Sequence, residues 1–321
     1  MFSLQFRLWL MLTVLFGIIY ALAVVIGQSL GFGDFYVYIG MAFAMMFFQY
    51  LIGPKMVEWS MDVKYITREQ NPRLYQMVED QAQRAGIPTP KVGISSMAVP
   101  NAFAFGRGIA DGRVCVTQGI MNLLDDNELR AVIGHEISHL KNRDVLTITL
   151  LSIIPMVLYR VAWHFFFMGN RRSSRENGAN GMLIGLAAFL FYFITNLLVL
   201  YASRIREYFA DKGSVALGNR PEVMATALYK LVYGSARMPK EDLKEAEGMK
   251  AFFVNDPSCA RSEIMELSQL DLDKSGSIDL YELKSFEQGK IKIKTSDKMM
   301  ELLSTHPNML KRIKHLSSLH V

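Results

Sequence analysis

Four long apolar runs divide the chain. Residues 8–30, LWLMLTVLFGIIYALAVVIGQSL, and 35–52, FYVYIGMAFAMMFFQYLI, carry no charged side chain. At about 1.5 Å per helical residue, each is long enough to cross about 30 Å of hydrocarbon with modest tilt or local thinning. Ala21-Leu22-Ala23 gives the first run a leader-like small-x-small triplet. Apolar sequence continues past it and a second run follows within a few residues, so both are read as retained spans. A second pair covers 145–167 and 182–201, joined by GNRRSSRENGANG. The later member is uninterrupted. The earlier one contains Arg160 and His164, which predicts a short crossing, or a side chain turned towards headgroups or a protein cavity.

Between the pairs the pattern changes. In NPRLYQMVEDQAQRAG, Leu74, Met77, Val78 and Ala82 make one stripe and Gly86 stops it, predicting a helix. The stretch 87–121 reads as short strands between turns: Lys91–Ser95, Ala102–Gly106 and Arg113–Thr117, with Asp111-Gly112 as a hairpin turn. A helix then opens at 123–128, where Asp125 and Glu128 form an acidic capping box, and Leu129, Val132, Ile133, Ile137 and Leu140 supply its apolar face. Four segments follow: a membrane pair within 1–54, the first part of a polar domain at 55–144, a second membrane pair at 145–202, and the rest of the polar domain at 203–321.

Charge orients this arrangement. The turn Gly31–Asp34 has no Lys or Arg, whereas Arg7, Lys55, Lys64, Lys141, Arg143, Arg204 and Arg206 flank the opposite ends. Both termini and the polar domain are therefore expected on the cytoplasmic side of a cell membrane. Arg171, Arg172 and Arg175 lie in the loop this topology puts outside and argue against it. The net charge of +5 suits a protein beside anionic lipid, and no basic and aromatic platform outside the spans suggests nucleic-acid binding. Cys115 and Cys259 do not make a disulfide framework and fit a reducing compartment.

The candidate chemistry lies in IGHEISHLKNRD, on the predicted helix from 123. His135 and His139 are one turn apart on one face, the spacing with which two imidazoles hold one zinc ion. Glu136, next to the first, is placed to act as general base on the attacking water and then to protonate the leaving amine. A histidine pair that merely packs or caps has the same local sequence. A third ligand has to come from elsewhere, and ASRIREYFADKGSVALG follows the last apolar run with Glu207 and Asp211 four apart. Glu207 as ligand and Asp211 as acceptor for a ligand histidine's other N–H would complete a two-His, one-Glu site. An ordinary surface pair has that spacing too.

HEISH at 135–139, SRIREYFAD at 203–211, PNAFAFG at 100–106 and STHPNMLKRIKHL at 304–316 together resemble the HtpX-type membrane zinc metalloproteases, relatives of the prenyl-protein endoprotease that acts on CAAX-terminated proteins. The resemblance covers most of the chain in order. It implies a multi-span α-helical membrane protein with an α+β gluzincin-like zinc metalloprotease domain. His135, His139 and Glu207 would hold one zinc ion and Glu136 would be the base. The implied activity is zinc-dependent endoproteolysis of misfolded or damaged membrane proteins in quality control. It also suggests an edge strand for extended substrate at Asn101, Ala102 and Phe103, His306 as oxyanion stabiliser and Arg312 as a carboxylate-pairing organiser. Asn101 as a plain strand entry after Pro100, and His306 and Arg312 as fold-fixing residues, are the alternatives. The alternative functions are selective processing of membrane or lipidated precursors, and a zinc-stabilised scaffold without catalysis.

One segment departs from that family outline. DLDKSGSIDLYE at 271–282 has the register of an EF-hand loop: Asp271, Asp273, Ser275, the Ser277 carbonyl, Asp279 directly or through water, and Glu282 in the bidentate place, with Gly276 at the tight turn. An EF-hand-like insert and a second cofactor, calcium, are therefore expected beside zinc.

Overall fold

The computed structural model describes residues 35–167, 175–239, 269–288 and 301–319, with isolated positions between 243 and 267. The first apolar run lies outside these residues. The second is helical within α1, Phe35–Ser60. The C-terminal end of α1 docks on the polar domain, where Val57 and the following Met61 are buried with Phe103, Phe105, Cys115 and Phe253.

A four-stranded mixed sheet follows, from β1 (Val63–Tyr65), β2 (Lys91–Ser95), β3 (Ala102–Phe105) and β4 (Arg113–Thr117), in the order β1-β2-β4-β3. β2 and β4 are parallel, Lys91 facing Arg113 through to Ser95 facing Thr117, while both outer pairings are antiparallel. The three expected strands are present. Asp111-Gly112 is not a two-residue hairpin: the β3–β4 link contains a 3-10 turn, Ile109–Asp111. Asp111 bonds the side chain of Arg107, and its carbonyl accepts from Arg113. These side-chain contacts stabilise a longer loop.

Helix α2 (Pro72–Ala85) begins at Asn71, whose side chain accepts from Leu74 N–H, and ends at left-handed Gly86. After the short α3 (Gln118–Leu123) comes α4 (Asp126–Lys141), opened by the reciprocal Asp125–Glu128 capping box. The next apolar run is broken into α5 (Asp144–Leu151) and α6 (Ile153–Phe167). Pro155 lacks the N–H that would bond the Leu151 carbonyl, which accounts for the break. α7 spans Arg175–Ala216 without interruption, so the fourth apolar run and the Glu207 segment are one helix. Stretches 144–166 and 182–216 are long and apolar enough to cross a membrane, and their apolar side chains are largely exposed. α8 (Pro221–Arg237), α9 (Leu280–Gln288) and α10 (Met309–Ser317) complete the described elements. One buried cluster runs from Leu74 on α2 through Ile133 and Ile137 on α4 and Leu228 on α8 to Ile313 and Leu316 on α10. The segments before and after the apolar pair thus share a core.

The contact of α4 with α7 sets the position of the site. Gly213 on α7 lies over Ser138, with a Cβ there meeting the Ser138 Cβ at 2.7 Å, and Gly134 on α4 faces Gln81, Ser214 and Asn219. Ser214 Oγ donates to the Ala131 carbonyl at 2.6 Å, fastening the helices beside the close approach. Gly213→Ala is therefore expected to cost about 1–3 kcal/mol of stability by forcing α7 away from α4. Thermal unfolding in detergent, read as a lowered Tm with reduced zinc retention, checks it; an unchanged Tm would refute the close packing.

Candidate metal centre

α4 presents His135 and His139 towards Glu207 of α7. The two Nε2 atoms are 3.1 Å apart; His135 Nε2 is 3.5 Å from Glu207 Oε2, and His139 Nε2 is 3.6 Å from Glu207 Oε1. Ligands about 2.0–2.1 Å from a tetrahedral ion lie about 3.3–3.4 Å from one another, so these atoms already outline one face of such a site. Glu207 Oε2 is buried without a hydrogen-bond partner, which a cation would satisfy. The donor set of two imidazoles and one carboxylate matches catalytic zinc.

Carboxylates orient both rings. His135 Nδ1 lies 2.9 Å from Asp211 Oδ1, and His139 Nδ1 lies 2.6 Å from Asp144 Oδ2. With Nδ1–H donated to a carboxylate, each ring turns its Nε2 lone pair to the centre. Asp211 is in turn held by Arg312, whose Nε and Nη2 donate to its two oxygens at 2.9 and 2.6 Å. Arg312 Nη1 donates to the Val254 carbonyl at 2.7 Å and lies 3.2 Å from Glu207 Oε2. His306 Nδ1 is 3.6 Å from Glu207 Oε2, and neither ring nitrogen has a hydrogen-bond partner. The STHP stretch thus reaches the centre from the far end of the chain.

Glu136 is buried beside the two histidines, and burial raises its carboxyl above the usual range despite the opposing pull of His139 and His135. It also takes a backbone hydrogen bond from Ala104 of β3, the strand at the sheet edge. Asn101 enters β3 with its N–H donated to Thr117 Oγ1, while its side-chain carbonyl accepts from Val254 N–H at 3.0 Å. Ala102 and Phe103 are buried within the strand.

Asp144 escaped sequence reasoning. Five residues beyond His139, it lies off that face of a continuous helix, and its only local signal is an acidic residue opening an apolar run. The loop residues Asp271, Asp273 and Glu282 also place carboxylate oxygens together, each within 4.8 Å of the others.

The electrostatics of His135 predict a pH dependence. Burial disfavours its cation, but the Asp211 and Glu207 carboxylates outweigh this and push it up to about 9. Below that value zinc has to displace a proton from the ring. Affinity is therefore greatest above the His135 value and falls about tenfold per unit as the pH drops below it. Calorimetry at pH 7.5 in buffers of different ionisation heat is expected to show about one proton released per zinc bound. Binding without proton release would contradict the assigned ring state.

Residues 68–320 match the description Peptidase family M48. The "Protease HtpX homolog" of Methanothermobacter thermautotrophicus is 52% identical over 230 residues, covering 72% of this chain and 86% of the relative. That of Moorella thermoacetica is 39% identical over 226 residues, covering 70% and 75%. A crystal structure of S. mikatae Ste24p aligns with a TM-score of 0.50 at 16% identity, covering 98% of this chain and 67% of that one, a likeness in fold. With the ligand triad and the adjacent glutamate in place, the match over 68–320 identifies the chain as a member of peptidase family M48.

Proposed function

We propose that the protein is a membrane-embedded zinc endopeptidase that cuts misfolded or damaged membrane proteins, with His135, His139 and Glu207 as ligands and Glu136 as general base. The observation that carries this reading is the convergence of the three ligand atoms next to a buried glutamate and a strand edge. When bound, zinc supplies Lewis acidity and lowers the pKa of its water. Glu136 takes the proton from the attacking water and delivers it to the leaving amine, a task suited to a carboxyl raised towards neutrality. His306 beside Glu207, with both ring nitrogens uncommitted, supports a role in balancing charge that develops on the carbonyl oxygen, while Arg312 organises the site through its pairing with Asp211 and Glu207.

The edge of β3 supports extended binding of substrate. The Asn101 carbonyl accepts from Thr117 N–H of β4, while Ala104 directs its N–H towards Glu136 on the opposite side. By strand alternation, the outward main-chain groups are those of Ala102 and Ala104; with the Ala104 N–H turned to Glu136, the Ala102 groups and the Ala104 carbonyl are the proposed template for one more strand beside the base. Asn101 orders this entrance through Val254. The shared core supports joining 55–144 and 203–321 into one catalytic domain around the inserted pair at 145–202. The loop charges favour a multi-pass arrangement with both termini and this domain cytoplasmic, where substrates arrive from the bilayer or unfold beside it.

A calcium site in 271–282 is a separate part of the proposal. Asp271, Asp273 and Glu282 bring their oxygens together, and left-handed Gly276 makes the turn leading to α9. The loop is tied to α8 by Tyr229, whose hydroxyl donates to Asp271 Oδ2 at 2.9 Å, and by Thr226, which bonds both the N–H and the carbonyl of Ile278.

Two measurements follow. Glu136→Gln at matched zinc content is expected to lose about 10²–10⁴-fold in cleavage of an unfolded membrane protein by the detergent-purified chain, with zinc retained. Equal cutting by both proteins would overturn the assigned base. Calcium at about 100 times its Kd is expected to add about 2.7 kcal/mol of stability, and Glu282→Gln to abolish the gain. A Tm indifferent to calcium in the wild type would remove the second metal site.

A further inference from the structure

Two of the carboxylates around the metal ligands orient a ring, and the sequence pattern exposes one of them. Asp211 sits on the helix of Glu207, four residues on. Asp144 opens α5, the first helix of the apolar pair, and reaches back to His139. On an uninterrupted helix, residues five apart point about 140° from each other, so Asp144 would face away from the ring. Arg143 changes this: at φ 55 and ψ 41 it takes the left-handed conformation between α4 and α5. That residue interrupts the helix and lets the Asp144 carboxylate reach His139 Nδ1, where Asp144 is only 6% exposed.

A second group secures the turn. Arg206 precedes Glu207 on α7; its Nη1 donates to the Asp144 carbonyl at 2.6 Å and lies 4.0 Å from Asp144 Oδ1. Its Nη2 donates to Ser203 Oγ at 3.4 Å. Each ligand histidine therefore leans on an aspartate backed by an arginine, His135 on Asp211 and Arg312, His139 on Asp144 and Arg206. The first set is internal to the polar domain. The second joins the helix entering the apolar pair to the helix leaving it.

We propose that Asp144 is a positioning residue for zinc, holding His139 in its ligating orientation, and that with Arg206 it clasps the membrane-helix junction to the metal centre. The inference rests on His139 being a zinc ligand. Asp144 touches neither substrate nor reacting atoms; it acts by keeping the proton on His139 Nδ1 and the lone pair on Nε2 aimed inward. The arrangement makes zinc retention depend on how the apolar pair packs, because a shift of α5 along α7 moves the carboxylate that steadies the ring.

The test compares full-length wild type with Asp144→Asn, Asp144→Glu and His139→Ala in detergent, reading zinc affinity by competition with a chromophoric chelator and ligand geometry by the visible spectrum of the cobalt-loaded protein. Asp144→Asn is expected to weaken zinc binding about 10–100-fold and to shift the cobalt bands, while the zinc-free protein melts as the wild type does. Asp144→Glu, which keeps a carboxylate, is expected to recover most of the affinity. If the Asn variant does not fold, Asp144→Ser replaces it, removing the carboxylate without burying an amide. Wild-type affinity and an unchanged cobalt spectrum after loss of the carboxylate would overturn the proposal. If His139→Ala still loses zinc in that case, the ligand assignment survives and only the role of Asp144 falls; zinc binding unaffected in both would overturn the ligand assignment as well.

Discussion

Arg312 is a fully buried cation, and the site is built around the need to compensate it. Its guanidinium spends two donors on Asp211, one on the Val254 carbonyl, and faces Glu207 with the same nitrogen. Asp211 can therefore stay charged in the interior and fix the tautomer of His135. The balance does not close on the arginines alone: Glu136, Glu207, Asp211 and Asp144 are four buried carboxylates against two guanidiniums, Arg312 and Arg206, an excess of two negative charges. A divalent cation bound by neutral imidazoles removes that excess. The same electrostatic requirement that makes the apo centre hold a proton on His135 thus selects for a doubly charged ion in its place.

The constraint links distant parts of the chain. Val254 donates its N–H to Asn101 and accepts from Arg312, so the entrance to β3 and the orientation of Asp211 share one peptide. Arg204 on α7 donates to the carbonyls of Glu301 and Ser304, each at 2.8 Å, fastening the segment that carries His306 to the helix that carries Glu207. The entrance to β3, the helix of Glu207 and the segment of His306 are therefore positioned by hydrogen bonds that converge on α7.

What the sequence disclosed follows the range of the forces involved. The Asp125–Glu128 box, the stripe ending at Gly86 and the histidine pair on α4 are local patterns, and each has its structural counterpart. Glu207 and Asp211 were legible because both lie on one helical face. β1 was not, since three residues carry no alternation to count, and neither was the parallel β2–β4 pairing, which depends on the chain between them. Asp111-Gly112 misled because two arginines, Arg107 and Arg113, override the local turn preference. Asp144 was hidden by a non-glycine residue in a left-handed conformation, for which Arg143 gives no compositional warning.

The length of α7 explains why the zinc ligand and the membrane segment form one mechanical unit. Its 42 residues extend about 63 Å, roughly twice the hydrocarbon thickness. The apolar run 182–201 takes up about 30 Å of this, and the part beyond it, 202–216, extends about 22 Å further and carries Arg204, Arg206, Glu207, Asp211 and Gly213. A hinge between span and ligand would let the bilayer segment move without moving the site. An unbroken helix with its extension locked against α4 at Gly213 and Ser138 transmits tilt instead. Carrying Glu207 and Asp211 on such a rod fixes the metal centre relative to the apolar stretch 182–201.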